Sequence, residues 1–367
     1  MATLGINDLK QYALPTYWDA ARVSQVRLQS GETYEQFISD VAAALSMQNA
    51  ALLQDPLVGG MVSTTTEMMV EYPIGVSNGF QDHTEYGMPD QKRGATTGHM
   101  LYLKERDRGL GWTWDMLRKA RRSQLDADIA SAMKDVRDDF KKRALTRLFK
   151  STYTAVGSSG RSMPVADGGT ADSAYVPPNN PDRASAFDTS HTHLLRLNDI
   201  TQANLETAVA DIWEHGHDAP YDLLAAQADL GSWTDVTNVT GYVPRPDPLI
   251  RYGMSQDLAN TGDSDVIGVI DTDYGAVRLH ISARVPTKYW AIYKSHGNLD
   301  QRNPLRIRYD ESFGIGAVLL AGDHIRQFPL ENAMLFSAYG FSIGEDRCAA
   351  AIVYNHTTGS YTDPTIL

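Results

Sequence analysis

Between Thr33 and Asp55 the apolar side chains Phe37, Val41, Leu45 and Leu52 recur near helical spacing, with polar residues filling the positions between them. Thr33 and Gln36 stand ahead of this run at the spacing of a capping box, which predicts a helix reaching about Gln54, before Asp55-Pro56. Residues 1–32 scatter Tyr12, Tyr17 and Trp18 among isolated apolar positions at no sustained period, the pattern of an extended arm that cannot bury itself. Two runs with β character follow, VSTTTEMMVEY from Val62 and HMLYLKE from His99. The stretch between them is rich in Gly, Asn, Asp and Pro and too long for a tight turn. The pair therefore reads as a long hairpin projecting from the body, and a lone hairpin is marginal in water unless it rests on something else.

Thr113 then opens a second helix, from Trp114 to about Phe149, with Leu117, Leu125, Ile129, Met133, Val136 and Phe140 in one stripe and no Gly or Pro interrupting it. At 1.5 Å per residue it would be roughly 50 Å long. Its second half carries Lys141, Lys142, Arg143, Arg147 and Lys150. These cations suit the negative end of the helix dipole, and they read either as a solvated face or as a rail for an acidic neighbour. Residues 157–190 are dense in Gly, Pro, Ser and Asp and form a long loop or boundary. Beyond it, Thr201 starts a helix that turns Leu205, Val209, Ile212 and Trp213 inward and stops at Gly216. Strands are then expected from Tyr221, Val266, Ala276, Lys288, Pro304 and Ala349, with DTDYG as a tight turn between the second and third. No regular alternation of strand and helix runs through the chain, so the expected class is α+β.

Composition narrows the function. The 367 residues are 42% hydrophobic and 21% charged, enough for one large or two moderate cores. No stretch approaches the roughly 18 consecutive apolar residues of a membrane span, and MATLGINDLKQY lacks the blocks of a secretory signal, so a soluble protein made inside the cell is expected. The single cysteine, Cys348, excludes an intrachain disulfide framework and a thiolate metal cluster. A net charge of −12 argues against a dedicated nucleic-acid binder.

Candidate chemistry is sparse. Glu214, His215, His217 and Asp218 in EHGHDAPYD are of metal-ligand type, yet two His one residue apart without recognisable further ligands are a weak signal, and His215 stands at a helix end that stabilises an imidazolium anyway. His191 and His193 lie in a polar loop and carry still less weight. Asp263, Asp265, Asp271 and Asp273 lack the Gly and closing Glu of a calcium loop and read as turn residues. No nucleotide-binding fingerprint, nucleophile elbow or reactive cysteine signature occurs, so no enzyme, cofactor or metal is expected.

Taken in order, arm, short helix, long hairpin, long helix, mixed domain and closing sheet resemble the Hong Kong 97-type major capsid proteins of tailed phages. The stretches carrying the resemblance are GLGWTWDMLRKARRSQLDADIASAMKDVRDDFKKRALTRLF, NLETAVADIWEHGHDAPYDLLAA, GAVRLHISARVPTKYWAIY and FPLENAMLFSAYGFSIGEDRCAAAIVYN. The resemblance implies an N-arm with a short helix over 1–60 and an extended E-loop over 61–110. It implies a P-domain over 111–194 with its spine helix at 114–149, an A-domain over 195–298, and a return to the P-domain sheet over 299–367. It further implies self-assembly into hexamers and pentamers of an icosahedral shell around double-stranded DNA, without sequence-specific binding, with portal, scaffolding or decoration proteins as partners and no membrane. No long, coiled, charged segment precedes the arm, so scaffolding is expected from a separate protein or not at all. The expected assembly contacts set Glu67, Glu71, Asp82 and Glu85 of the E-loop against Lys141, Lys142, Arg143 and Arg147 of a neighbour's spine helix. Competing readings are an encapsulin-like shell around a cargo enzyme, another phage component such as a portal or tail subunit, and a metal-dependent hydrolase using His215, His217 and Asp218.

Overall fold

A computed structural model describes residues 28, 31–74, 95–119, 121–151, 154–155, 161–162, 165–170, 173, 175–178, 180, 182–183, 187–244, 266–321, 330–344 and 346–366. Most of the expected arm, and the hairpin tip with Asp82 and Glu85, lie outside these residues.

Helix α1 (Tyr34–Gln54) opens on the expected capping box: Gln36 N–H donates to Thr33 Oγ1 at 3.2 Å and Thr33 N–H donates to Gln36 Oε1 at 3.0 Å. A single turn, α2 (Pro56–Gly59), follows. The run from Val62 does not form one strand but two. Strand β1 (Val62–Thr65) pairs in parallel with a strand far along the chain, while β2 (Met69–Ile74) pairs antiparallel with β3 (Ala95–Met100), from Met69↔Met100 to Ile74↔Ala95. Thr65 Oγ1 accepts the Glu67 N–H at 3.1 Å in the break, a local side-chain bond that competes with ladder pairing. Strand β4 (Glu105–Thr113) takes up residues after the second expected strand.

The expected helix at 114–149 is likewise two helices, α3 (Trp114–Lys119) and α4 (Arg122–Leu148). The restart has a polar cause. Gln124 Oε1 accepts the Arg121 N–H at 3.1 Å and Gln124 N–H donates to Arg121 O at 3.0 Å, so a fresh helix N-terminus is capped where hydrophobic periodicity alone read continuity.

The remaining elements are β5 (Thr154–Ala155), β6 (Arg161–Ser162), β7 (Leu194–Leu197), α5 (Gln202–Trp213), β8 (Tyr221–Ala226), α6 (Leu230–Thr234), β9 (Tyr242–Pro244), β10 (Val266–Thr272), β11 (Gly275–Ser282), β12 (Tyr289–Tyr293), β13 (Leu305–Tyr309), β14 (Val318–Ala321), β15 (Leu330–Ile343) and β16 (Ala350–Asn355). Thr201 Oγ1 caps α5 by accepting the Asn204 N–H at 3.3 Å, and Gly216 beyond its end takes φ +95°. The DTDYG segment is the tight turn joining β10 to β11, with Gly275 at φ +114°. The class is mixed helix and sheet. Among the described residues no helix is long and apolar enough to cross a membrane.

Two compact units divide the chain. One collects residues up to Asn49, Arg106–Val136 and Ala317–Ser337. Its core packs Phe37, Val41 and Leu45 of α1 on Leu110 and Trp112 of β4, Leu125, Ile129 and Ala132 of α4, and Ala333 and Leu335 of β15. Arg122 joins it at the rim, bonding Asp126 at 2.8 Å, Asp40 at 3.1 Å and Glu32, with its guanidinium 5.0 Å from the Phe37 ring centre.

The other unit comprises Ala50–Glu105, Arg137–Gly316 and Ala338–Leu367. It is organised by a seven-stranded mixed sheet in the order β7-β16-β12-β8-β11-β10-β9. Its central strands are buried on both faces. Leu223 and Ala225 of β8, Trp290 and Ile292 of β12 and Ala351 and Val353 of β16 face α5 and Trp233. Alternate residues Leu224, Ala226, Ala291, Tyr293, Ala350 and Ile352 face Phe140, Leu145, Leu148 and Phe149 of the second cluster. Double burial explains why the run from Leu223 to Ala226 is apolar without alternating, while Asp222 before it is paired with Arg278 at 2.6 Å and lies 3.0 Å from His280 Nε2.

Candidate functional site

The expected assembly residues meet very different fates. Glu67 is exposed at the break between β1 and β2, and Glu71 lies on β2 opposite Gly98. Of the basic set, only Lys142 is exposed. Lys141 is buried with Nζ 2.8 Å from Asp55 Oδ2. Arg143 is buried over the Tyr339 ring, 4.5 Å from its centre, pairs with Asp139 at 2.7 Å and donates to Tyr339 O at 3.0 Å. Arg147 is buried as well, and burial lowers its guanidinium to about 10. The expected basic rail is thus largely used up inside the chain, because Phe140, Ala144, Leu145 and Leu148 pull this half of α4 into the core on more than one side.

The EHGHD segment is also taken apart. Asp218 pairs with Arg183 at 2.6 Å. His217 turns to Asp346 Oδ2 at 3.1 Å and to His296 Nε2 at 3.2 Å through its own Nδ1. Burial is the largest influence on the Asp346 carboxyl and works to raise it, but the neighbouring His217, the Cys348 N–H and His215 together hold the group below its ordinary value. His296 is lowered to about 4 by burial and by His217. His215, by contrast, points away from His217 and joins His191 and His193, the two residues that carried least weight in the sequence.

Among the described residues these three imidazoles are the group of three or more potential metal ligands whose ligand atoms lie mutually close. Their Nε2 atoms are mutually close, at 3.1 Å for His191 to His193, 3.1 Å for His191 to His215 and 2.9 Å for His193 to His215. His191 and His193 lead into β7, while His215 follows the end of α5. His193 is fully buried and its Nδ1 faces Ala350 O at 2.9 Å; His215 Nδ1 faces Pro178 O. Phe187 stacks on His191 with ring centres 4.3 Å apart, and Glu214 Oε1 lies 3.3 Å from His191 Nε2. Burial lowers the pKa of all three, His215 to about 4, so neutral imidazole is favoured at pH 7. His215 and the HTH segment are more than 20 positions apart in the sequence, and only the meeting of β7, α5 and β16 brings them together. The one local signal was the spacing of His191 and His193, alternate residues just before a strand.

Of the acidic group at 263–273, Asp263 and Asp265 lie outside the described residues, and Asp271 and Asp273 belong to the β10–β11 hairpin. Asp271 supplies only backbone bonds there, its N–H donating to Gly241 O at 2.9 Å and its carbonyl accepting from Gln202 Nε2 at 3.0 Å.

No family model matches the sequence, and no curated protein does. Among solved structures, a chain of Mycobacterium phage Patience is 19% identical, with 93% of each chain covered at a TM-score of 0.63. The two chains share a fold. The capsid of a native GTA particle, 11% identical over 83% of this chain and 91% of that one, reaches a TM-score of 0.46. The holo-SrpI encapsulin complex from Synechococcus elongatus, 12% identical over 99% and 100%, reaches 0.45. Neither of these two reaches the level at which a common fold follows.

Proposed function

We propose that the chain is a shell-building structural protein, the major capsid protein of a tailed phage of Hong Kong 97 type, assembling as hexamers and pentamers of an icosahedral virion shell around double-stranded DNA. The fold shared with the phage Patience chain across 93% of both chains carries this reading. The β2–β3 ladder supports it. Among the described residues these two strands form a ladder only with each other, tied to the body by His99, whose Nε2 lies 3.2 Å from Ile343 O, and such a ribbon gains most from lying on another subunit. Met68 and Met69 at its base are 47% and 49% exposed, apolar surface for such a contact.

In this reading residues 61–110 are the E-loop, 111–194 with 299–367 the P-domain and 195–298 the A-domain. The acidic E-loop residues Glu67, Glu71, Asp82 and Glu85 face a neighbour's spine helix, where Lys142 is the exposed cation of the expected set. Exposed pairs of this kind weaken with salt and contribute little singly, so repetition around the shell supplies the stability. The net charge of −12 suits a wall that encloses DNA without gripping it. No catalytic role is assigned, and the partners are further copies of the chain, a portal and separate scaffolding or decoration proteins.

Sedimentation of the expressed full chain tests the reading: megadalton particles are expected, and a monomer at every concentration overturns it. Nucleic-acid content of the particles then separates a DNA container from an encapsulin-like shell. Deleting residues 76–96 is expected to abolish regular shells in electron micrographs, and normal shells from that variant would sink the E-loop role.

A further inference from the structure

We infer that His191, His193 and His215, completed by Glu214, form a structural binding site for a divalent transition metal of the zinc class. The inference does not depend on the shell reading.

The geometry starts from the tautomers. A backbone carbonyl only accepts hydrogen bonds, so the nitrogens facing Ala350 O and Pro178 O, His193 Nδ1 and His215 Nδ1, must each carry a proton. In neutral rings the opposite nitrogens are then bare lone pairs, and they face each other at 2.9 Å. Two acceptors cannot bond each other. A proton on His191 Nε2, 3.1 Å from both, serves only one of them well. A cation satisfies all three at once.

The size also fits. The three separations of 3.1, 3.1 and 2.9 Å place each nitrogen about 1.8 Å from the centre of their triangle. An ion keeping the roughly 2.0–2.1 Å of a zinc–imidazole bond therefore sits about 1 Å out of that plane, bound by all three nitrogens from one side. The three histidines alone have ligand atoms that are all mutually close; Glu214 Oε1, 3.3 Å from His191 Nε2, stands beside them as the carboxylate that completes the set and brings the negative charge a buried dication needs. The carbonyls of Ala350 and Pro178 are the outer acceptors that metal-bound imidazoles require to fix ring orientation. Phe187 against His191 and the full burial of His193 keep water from one side.

With four protein ligands the site is closed, which is the structural and not the catalytic pattern. Its effect is mechanical: the ion clips the segment entering β7, at one edge of the seven-stranded sheet, to the turn after α5. His217, His296 and Asp346 form a separate group and take no part.

The test uses tag-free full-length protein, stripped with a chelator, desalted and titrated with zinc ions alone. About one zinc per chain is expected, with a rise in melting temperature that saturates at that ratio. Cobalt(II) in place of zinc should give the strong visible absorption of a four-coordinate ion instead of the faint bands of the hydrated one. His191→Gln and His215→Gln should each weaken zinc binding at least tenfold, while His217→Gln and His296→Gln leave it unchanged. If His215→Gln fails to fold by circular dichroism, His191→Gln and the cobalt spectrum of the unaltered protein decide. Substoichiometric zinc in the unaltered protein, a six-coordinate cobalt spectrum, or full binding in His191→Gln overturns the inference.

Discussion

Lys141 Nζ lies 2.8 Å from Asp55 Oδ2, and the two side chains are only 7% and 14% exposed. A lysine on the apparently basic flank of a helix is thereby an internal tie between α4 and the α1–α2 junction. Lys141→Ala removes the counter-charge of the Asp55 carboxylate in a poorly solvated place, leaving it the Val58 N–H at 3.4 Å, and is expected to cost about 3 kcal/mol in urea or thermal unfolding. Lys142→Ala, next to it but exposed, should change stability by no more than about 0.5 kcal/mol. Its effect should appear in particle yield and in the salt dependence of assembly.

Trp290 on β12 is fully buried, meets Trp233 edge-on with ring centres 5.1 Å apart, and donates from Nε1 to Asn355 Oδ1 at 3.1 Å. Trp290→Ala opens a cavity beside α5 and also leaves the Asn355 oxygen without this donor. A loss of about 3–5 kcal/mol is expected. Trp290→Phe keeps much of the volume and should lose less, so the difference between the two variants in chemical denaturation separates packing from the hydrogen bond.

His99 is buried with its Nε2 3.2 Å from Ile343 O, and its pKa is lowered to about 3, first by burial and then by the Arg347 charge. The unfolded chain binds this proton near 6.5, so the stability His99 contributes is complete above that pH and is lost as pH falls toward 3. Across that window it adds a slope of about 1.4 kcal/mol per pH unit. His99→Gln keeps a donor for the carbonyl without titrating, and its unfolding free energy should fall less than that of the unaltered protein between pH 6 and pH 4.

Asp211 on α5 shows the opposite sign. Burial, helped by the neighbouring Glu214, raises its carboxyl from 3.8 to about 7, and its Oδ2 has no hydrogen-bond partner among the described residues. Folding is therefore penalised increasingly as pH rises from about 4 to 7, and the penalty is constant above that. Asp211→Asn should be more stable than the unaltered protein at pH 8, by about 1–3 kcal/mol, and the gain should shrink toward pH 4. Melting temperatures across that range check it.

Local order was legible wherever a few adjacent residues carry the whole signal. Thr33 with Gln36, Thr201 with Asn204, Gly216 and the DTDYG turn each satisfy their own backbone within a handful of positions, so type and place follow from the letters alone. The apolar run of β8 identified a strand for the same reason. What required the tertiary structure was pairing between distant segments. Periodicity joined 114–149 into one helix because it does not register the Gln124 side chain capping Arg121. It joined Val62–Tyr72 into one strand because it cannot see that Val62 aligns with Leu305 while Met69 aligns with Met100. Charge alone put Lys141 on the surface; Asp55 put it inside. The histidines make the contrast sharpest. His215 and His217 are near neighbours in the chain yet face different partners, and His191 and His193 acquire meaning only where β7, α5 and β16 converge. Sequence determined which elements form, because capping and turn bonds close over a few residues. The tertiary structure decided which side chains meet, because those contacts join residues tens to hundreds of positions apart.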